Sequence, residues 1–166
     1  MPTYLTISEA DTLATTTLGL VQWSLSTTDE KSAALDAATR LVDDAMHYQG
    51  RRYDPDQPLQ FPRAAFDDGG RAEAIWDWDA VAGAAVVPPA VKRACLIEAD
   101  EILQDVKGKS QRWRRLDEQH QGVTFDLTGA AAEAYRKGIP AAGRSGLSRR
   151  AYELLVPYRV VSGKLI

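Results

Sequence analysis

Apolar positions recur at helical spacing in several separate stretches of the chain and lose that spacing between them. Ser8-Glu9-Ala10-Asp11 sets a hydroxyl and two acids ahead of an apolar run, which predicts a helix from Ser8 to about Thr17, closed by Gly19. Thr15, Thr16 and Thr17 weaken its end. Thr27-Thr28-Asp29-Glu30 opens a second helix. On it Ala34, Ala38, Leu41 and Ala45 fall on one stripe, Leu35, Val42 and Met46 flank them, and Asp36, Arg40, Asp43 and Asp44 turn outward. This pattern runs to about Tyr48, with Gly50 beyond. Pro88-Pro89 puts proline at the start of a third helix, where its missing donor costs little. Ala90, Val91, Ala94, Cys95, Leu96, Ile97, Ala99, Ile102 and Leu103 make that helix apolar on most sides as far as Gln104, so it reads as the central core helix. A short closing helix is expected over 148–156, with Leu147, Ala151, Leu154 and Leu155 on one stripe and Pro157 as its stop.

The connecting segments break the period. Residues 50–87 read as long and mostly irregular, with Leu59-Gln60-Phe61 as a short extended piece. Within them, and just before, lies YQGRRYDPDQPLQFPR (48–63), with three prolines, three arginines and three aromatics. Its prolines rule out a continuous helix or a central strand, yet it is too apolar for a solvated linker. Gly108 and the polar run 109–121 mark a change of organisation. Residues 122–128 alternate like a short strand, 130–137 suit a helical turn or two, and 138–146 are turn-rich. The fold class expected is mainly α: a small helical bundle over 1–106 with a long irregular loop, then a C-terminal extension over 107–166, an extended arm ending in a short helix.

Charge sharpens the division. Residues 1–106 carry 18 acidic and 8 basic side chains, net −10, and residues 107–166 carry 5 and 12, net +7, which together give the chain's −3. Such asymmetry suits two surfaces that meet different partners or copies of each other, or charges that fold onto adjacent faces and cancel. A single cysteine excludes an internal disulfide framework. No apolar run approaches the roughly 18 residues of a membrane span, and the first residues lack the pattern of a secretory signal, so no membrane partner is expected and synthesis in the cytoplasm is.

The search for chemistry yields little. Cys95 lies inside an apolar helix, where a thiol is packing. Asp43 and His47 are four apart on one helix face, but no second histidine or cysteine pair accompanies them. Asp54-Pro55-Asp56 lacks the glycine and the distal acid of a calcium loop. No phosphate-binding glycine loop or nucleophile elbow occurs. The expectation is therefore a protein that is not an enzyme, with no catalytic residues, no cofactor and no metal. Lys107, Lys109, Arg112, Arg114 and Arg115 surround Trp113, a combination that can hold phosphates and stack a base. The blander reading, a solvated charged helix burying one face of Trp113, is preferred because the whole protein is acidic.

The order of parts also resembles a known family. YLTISEAD, Trp23 after the first helix, an alanine-rich second helix, YQGRRYDPDQPLQFPR and PPAVKRA are similar to the head-to-tail connector (adaptor, or head-completion) proteins of long-tailed double-stranded DNA phages, over about residues 3–105. Close relatives of that group often carry a label as DnaT-like single-strand-binding proteins. The resemblance implies a structural virion protein of the neck. Its copies would assemble as a twelvefold ring between the portal protein and a tail or head-closure (stopper) protein, and genomic double-stranded DNA would pass through the hole without its sequence being read. In that setting Arg51, Arg52 and Arg63 would pair with carboxylates of a neighbouring copy. Tyr53 and Phe61 would be its aromatic anchors, or would instead pin the loop to its own core. Leu147, Ala151, Tyr152, Leu154, Leu155, Tyr158, Leu165 and Ile166 would dock the arm on the portal, or fold back on the bundle. The alternative function is a single-stranded-DNA-binding accessory protein that uses the patch at 107–115.

Overall fold

Helix α3 (Pro89–Val106) is the axis on which the other described α-helices pack. The structure is a computed structural model that describes residues 2–66, 72–74, 78–79, 81, 83–106 and 146–160. It is mainly α. The sequence readings at 107–115, 122–128, 130–137 and 138–145, together with Leu165 and Ile166, lie outside the described residues.

The first two helices begin where a threonine and a glutamate three residues later can satisfy each other. Ahead of α1 (Ile7–Ala14), Thr6 Oγ1 accepts from the Glu9 N–H at 3.2 Å and the Glu9 carboxylate accepts from the Thr6 N–H at 2.9 Å. The cap is thus Thr6, two residues before the Ser8 expected from the sequence. Helix α2 (Thr28–Asp44) starts on the same device, with Glu30 N–H donating to Thr27 Oγ1 at 3.3 Å and Thr27 N–H to the Glu30 carboxylate at 2.8 Å. It stops short of Tyr48. The Tyr48 ring turns back into the core, and its hydroxyl donates to the last-turn carbonyl of Val42, which also accepts from the Ala45 N–H.

Small residues let α2 and α3 approach closely. Ala34 and Ala38 of α2 and Ala94 and Ala99 of α3 are all buried, and Thr39 Oγ1 meets Cys95 Sγ at 3.5 Å between the helices. Leu35, Val42, Val91, Leu96 and Leu103 fill the remaining core, with Trp23 closing one end. Two acids lie in the same interior. Asp100, 2% exposed, accepts from the N–H groups of Val21, Gln22 and Trp23 at 3.1, 2.8 and 2.7 Å, and so caps the 3-10 turn Trp23–Leu25. A carboxylate fed by several backbone donors tolerates burial because those donors replace its hydration. Glu98, fully buried, accepts from the N–H of Ser148 at 2.8 Å.

That contact belongs to α4 (Arg149–Leu155), which is capped by Ser148 and followed by a 3-10 turn, Val156–Tyr158. Here the described part of the expected docking arm takes the alternative arrangement and folds back. Leu147, Ala151, Tyr152 and Leu155 are buried against the chain's own bundle, and Leu154 and Tyr158 pack at its margin. Beyond α4 the backbone pairs with the segment that follows α2: Gln49 N–H donates to the Tyr158 carbonyl and Val160 N–H to the His47 carbonyl, each at 2.8 Å. Folding back needs no second molecule, because α3 is apolar on the side that α4 covers.

The stretch expected to be irregular contains two small antiparallel sheets. Strands β1 (Arg51–Arg52), β2 (Arg63–Phe66) and β3 (Ala72–Ala74) stand in that order, with Arg51 opposite Ala64 and Arg52 opposite Arg63. Strands β4 (Trp78–Asp79) and β5 (Ala84–Ala85) pair separately. The prolines are accommodated because they lie in the turn that joins β1 to β2, outside the ladder. The Phe61–Pro62 peptide bond is cis.

Candidate nucleic-acid interface

Phe61 anchors the arginine hairpin from within. It is 2% exposed and meets Tyr48, Tyr158 and Tyr4 edge-on, with ring centroids 4.7, 5.8 and 6.1 Å away. An anchor for a neighbouring copy was the other expectation for Phe61; a ring this deeply enclosed by its own chain serves the core instead. A polar network reinforces the contact. Tyr4 donates its hydroxyl hydrogen to Asp43, Gln60 N–H donates to the same carboxylate at 2.8 Å, and Phe61 N–H donates to the Tyr4 oxygen at 3.3 Å. Asp43 therefore faces the loop, not solvent, and its carboxylate is engaged. Burial first, then the Asp43 carboxylate, pushes the Tyr4 phenol far above its ordinary range; burial does the same to Tyr48.

Arg63 is the second anchor. Its Nε donates to the Gln49 carbonyl at 2.6 Å. One terminal nitrogen donates to the Gln60 side chain at 2.7 Å and to the Gln60 carbonyl at 3.3 Å, and the other to the carbonyls of Tyr48, at 3.1 Å, and Gly50. These are five oxygens for a group with five N–H donors, and every one is neutral. The guanidinium is thereby held in place without a carboxylate bound to it. Desolvation, and then the nearby Arg52 guanidinium, pull its pKa below the usual arginine value. Arginine's ordinary pKa is so high that the charge persists at neutral pH. Sequence reasoning gave Arg63 to a neighbouring subunit; the structure turns it inward as the brace of its own hairpin.

Arg51 and Arg52 contrast with it. Arg51 is exposed and Arg52 half-buried, and among the described residues neither side chain has a hydrogen bond or ion pair. Tyr53 follows them, half-buried, its N–H donating to the Pro62 carbonyl at 3.1 Å. Arg159 reaches the same end of the molecule through the backbone bridge between Tyr48 and Arg159, and its guanidinium donates to the Tyr152 hydroxyl at 3.3 Å. The acids of the hairpin, Asp54 and Asp56, are exposed, and the Asp54 carboxylate accepts from the Asp56 N–H at 2.9 Å. The result is an end of the bundle where four arginines, Arg51, Arg52, Arg63 and Arg159, lie on adjoining backbone. The basic residues Lys107, Lys109, Arg112, Arg114 and Arg115 and the aromatic Trp113 cannot be placed relative to it, being outside the described residues.

Cys95 is fully buried, and burial pushes its thiol up to about 12, which suits packing and not nucleophilic attack. Among the described residues no three His, Cys, Asp or Glu side chains are grouped to hold a metal ion. No helix among them is long and apolar enough to cross a membrane. Glu98 and Asp100 escaped the sequence reading, although a signal was present: charges inside an otherwise apolar helix need partners. Nothing in the spacing of Tyr4, Asp43 and Arg63 announces their contacts, which join distant segments.

No curated protein and no solved structure matches the chain significantly. A protein-family model described as "Putative DnaT-like ssDNA binding protein" matches residues 1–124. That match spans the bundle, the arginine hairpin and the basic patch at 107–115, and it overturns the connector function expected from the resemblance. The family found is described by single-stranded DNA, the runner-up reading of the sequence, and nothing in the match speaks of a portal, a tail or a ring. The chain belongs to this DnaT-like family.

Proposed function

We propose that this chain binds single-stranded DNA, holding the phosphodiester backbone without reading sequence. The observation that carries the reading is the family match over residues 1–124. Two features of the chain support it. Arg51 and Arg52 stand at one end of the molecule with no carboxylate bound to them among the described residues, and phosphate binding depends on local charge more than on the total. The same matched range includes Trp113 among five basic residues, a set that offers charge for phosphates and a ring for a base. The protein acts by reversible binding in this reading and needs no catalytic group.

Fluorescence anisotropy with a labelled oligo-dT and with the matching duplex tests it. The single strand should bind more tightly than the duplex. Its affinity should fall about twentyfold between about 50 mM and about 200 mM salt if three phosphates are neutralised, each contributing about −0.7 to the log–log slope. No binding of the single strand at the lower salt refutes the function.

A further inference from the structure

We infer that Arg52 and Arg51, set against the fixed charge of Arg63, form a phosphate seat on the edge strand of the three-stranded sheet. The ligand class is a phosphodiester of single-stranded nucleic acid, so the inference rests on the function proposed above.

The argument starts from register. Arg52 and Arg63 are Cα partners in an antiparallel pair, so their side chains leave the same face of the sheet. Like charges placed directly opposite are unfavourable, and the usual relief is for one side chain to swing away or for a carboxylate to come between them. Arg63 cannot swing, because five oxygens of Tyr48, Gln49, Gly50 and Gln60 hold it. No carboxylate binds either group among the described residues. Asp43, which accepts from Tyr4 and Gln60, acts on Arg63 from the core side without bonding to it, and Asp54 accepts from the turn. Arg52 is the free member of the pair, the Asp43 carboxylate offsets part of the mutual repulsion, and an anion held by Arg52 beside Arg63 would offset more of it.

The division of labour follows from the donors. Arg63 has its N–H groups spent on carbonyls, so it supplies charge and a fixed position. Arg52 has its whole fork available, and a planar fork matches two phosphate oxygens at once. Arg51, adjacent on the same edge strand, leaves the opposite face and would meet the next phosphate of a strand running along the edge. β1 is an outer strand of the three-stranded sheet, the kind of edge along which an extended strand can run.

The experiment compares the full chain with an Arg51→Gln/Arg52→Gln variant, which removes no intramolecular bond and should keep its circular dichroism and melting temperature. Two readouts are taken: the salt dependence of oligo-dT binding, and the arginine Nε–Hε resonances on addition of inorganic tripolyphosphate. The variant should lose about 1.4 from the slope, two phosphates' worth, and on the order of tenfold in affinity near 0.1 M salt. Tripolyphosphate should move the Arg52 resonance of the wild type. If the wild type binds the single strand and the variant binds with the same slope, the seat is elsewhere and the inference is overturned while the function stands. If the wild type ignores DNA but tripolyphosphate still moves Arg52, the seat stands and the nucleic-acid reading falls. If neither probe binds, both are wrong.

Discussion

The buried carboxylate of Glu98, in the middle of α3, accepts a hydrogen bond from the backbone N–H of Ser148 at 2.8 Å, across a sequence separation of 50 residues. Ser148 in turn caps α4 through its hydroxyl, which accepts from the Ala151 N–H at 3.3 Å. One acid thus fixes where the closing helix begins and where it lies. Glu98→Ala leaves the Ser148 donor without its partner and opens a hole in a fully buried site. Urea unfolding should show a loss of about 2–4 kcal/mol, with a smaller loss for Glu98→Gln, which keeps an acceptor oxygen.

The packing of α4 makes a second expectation, opposite to that of a free docking arm. Leu155 is fully buried. Leu155→Ala should cost about 2–5 kcal/mol, the range for deleting a core leucine side chain, and removal of residues 147–166 should lower the melting temperature sharply. A stability unchanged by either alteration would mean that α4 does not belong to the core.

Gly19 sits at φ +80°, beneath the Arg150 guanidinium that donates to the carbonyls of Leu18, at 2.7 Å, and Gly19, at 3.4 Å. A Cβ there would lie 2.8 Å from Arg150 Nη1. The side chain of arginine can yield, but the left-handed backbone cannot be made comfortable for alanine. Gly19→Ala should therefore destabilise by about 1–2 kcal/mol, and combining it with Arg150→Ala should restore little of that in a thermal melt.

Acid should release the tie between α1 and α3. Lys92 Nζ meets the Glu9 carboxylate at 2.8 Å, and this contact, followed by the hydrogen bonds from Thr6, holds the Glu9 pKa down to about 2 from an ordinary 4.5. A pKa depressed by folding adds stability that is fully present above about 4.5 and disappears as pH falls towards about 2. The melting temperature of the wild type should exceed that of Glu9→Gln at neutral pH, and the two should converge only as pH falls to about 2 and below. Added salt should shrink the gap, because the pair is partly exposed. A gap that stays constant with pH would contradict this assignment.

Much of the helical framework can be read from the chain because each helix writes its own local signals. The capping pair Thr27 and Glu30, the Pro88-Pro89 start and the Leu147–Ala151–Leu155 stripe all act over one or two turns, and α2, α3 and α4 begin close to where they point. What the chain conceals is long-range. Tyr48 ends α2 early by turning into the core, and Phe61 gains three aromatic neighbours from segments far apart in sequence. The arginine-rich stretch looked like a surface made for another molecule. Its composition could not distinguish Arg63, spent on internal carbonyls, from Arg51 and Arg52, which carry the candidate site; only the strand register does that.

The most direct test of single-strand binding at the arginine hairpin is photo-cross-linking of a thiothymidine-substituted oligo-dT to the full chain, followed by mapping of the joined peptides by mass spectrometry. Cross-links within residues 48–66, diminished in Arg51→Gln/Arg52→Gln and competed away by unlabelled single strand, are the result expected. A complete absence of joined peptides, or cross-links confined to residues outside that hairpin and unaffected by the double substitution, would contradict it.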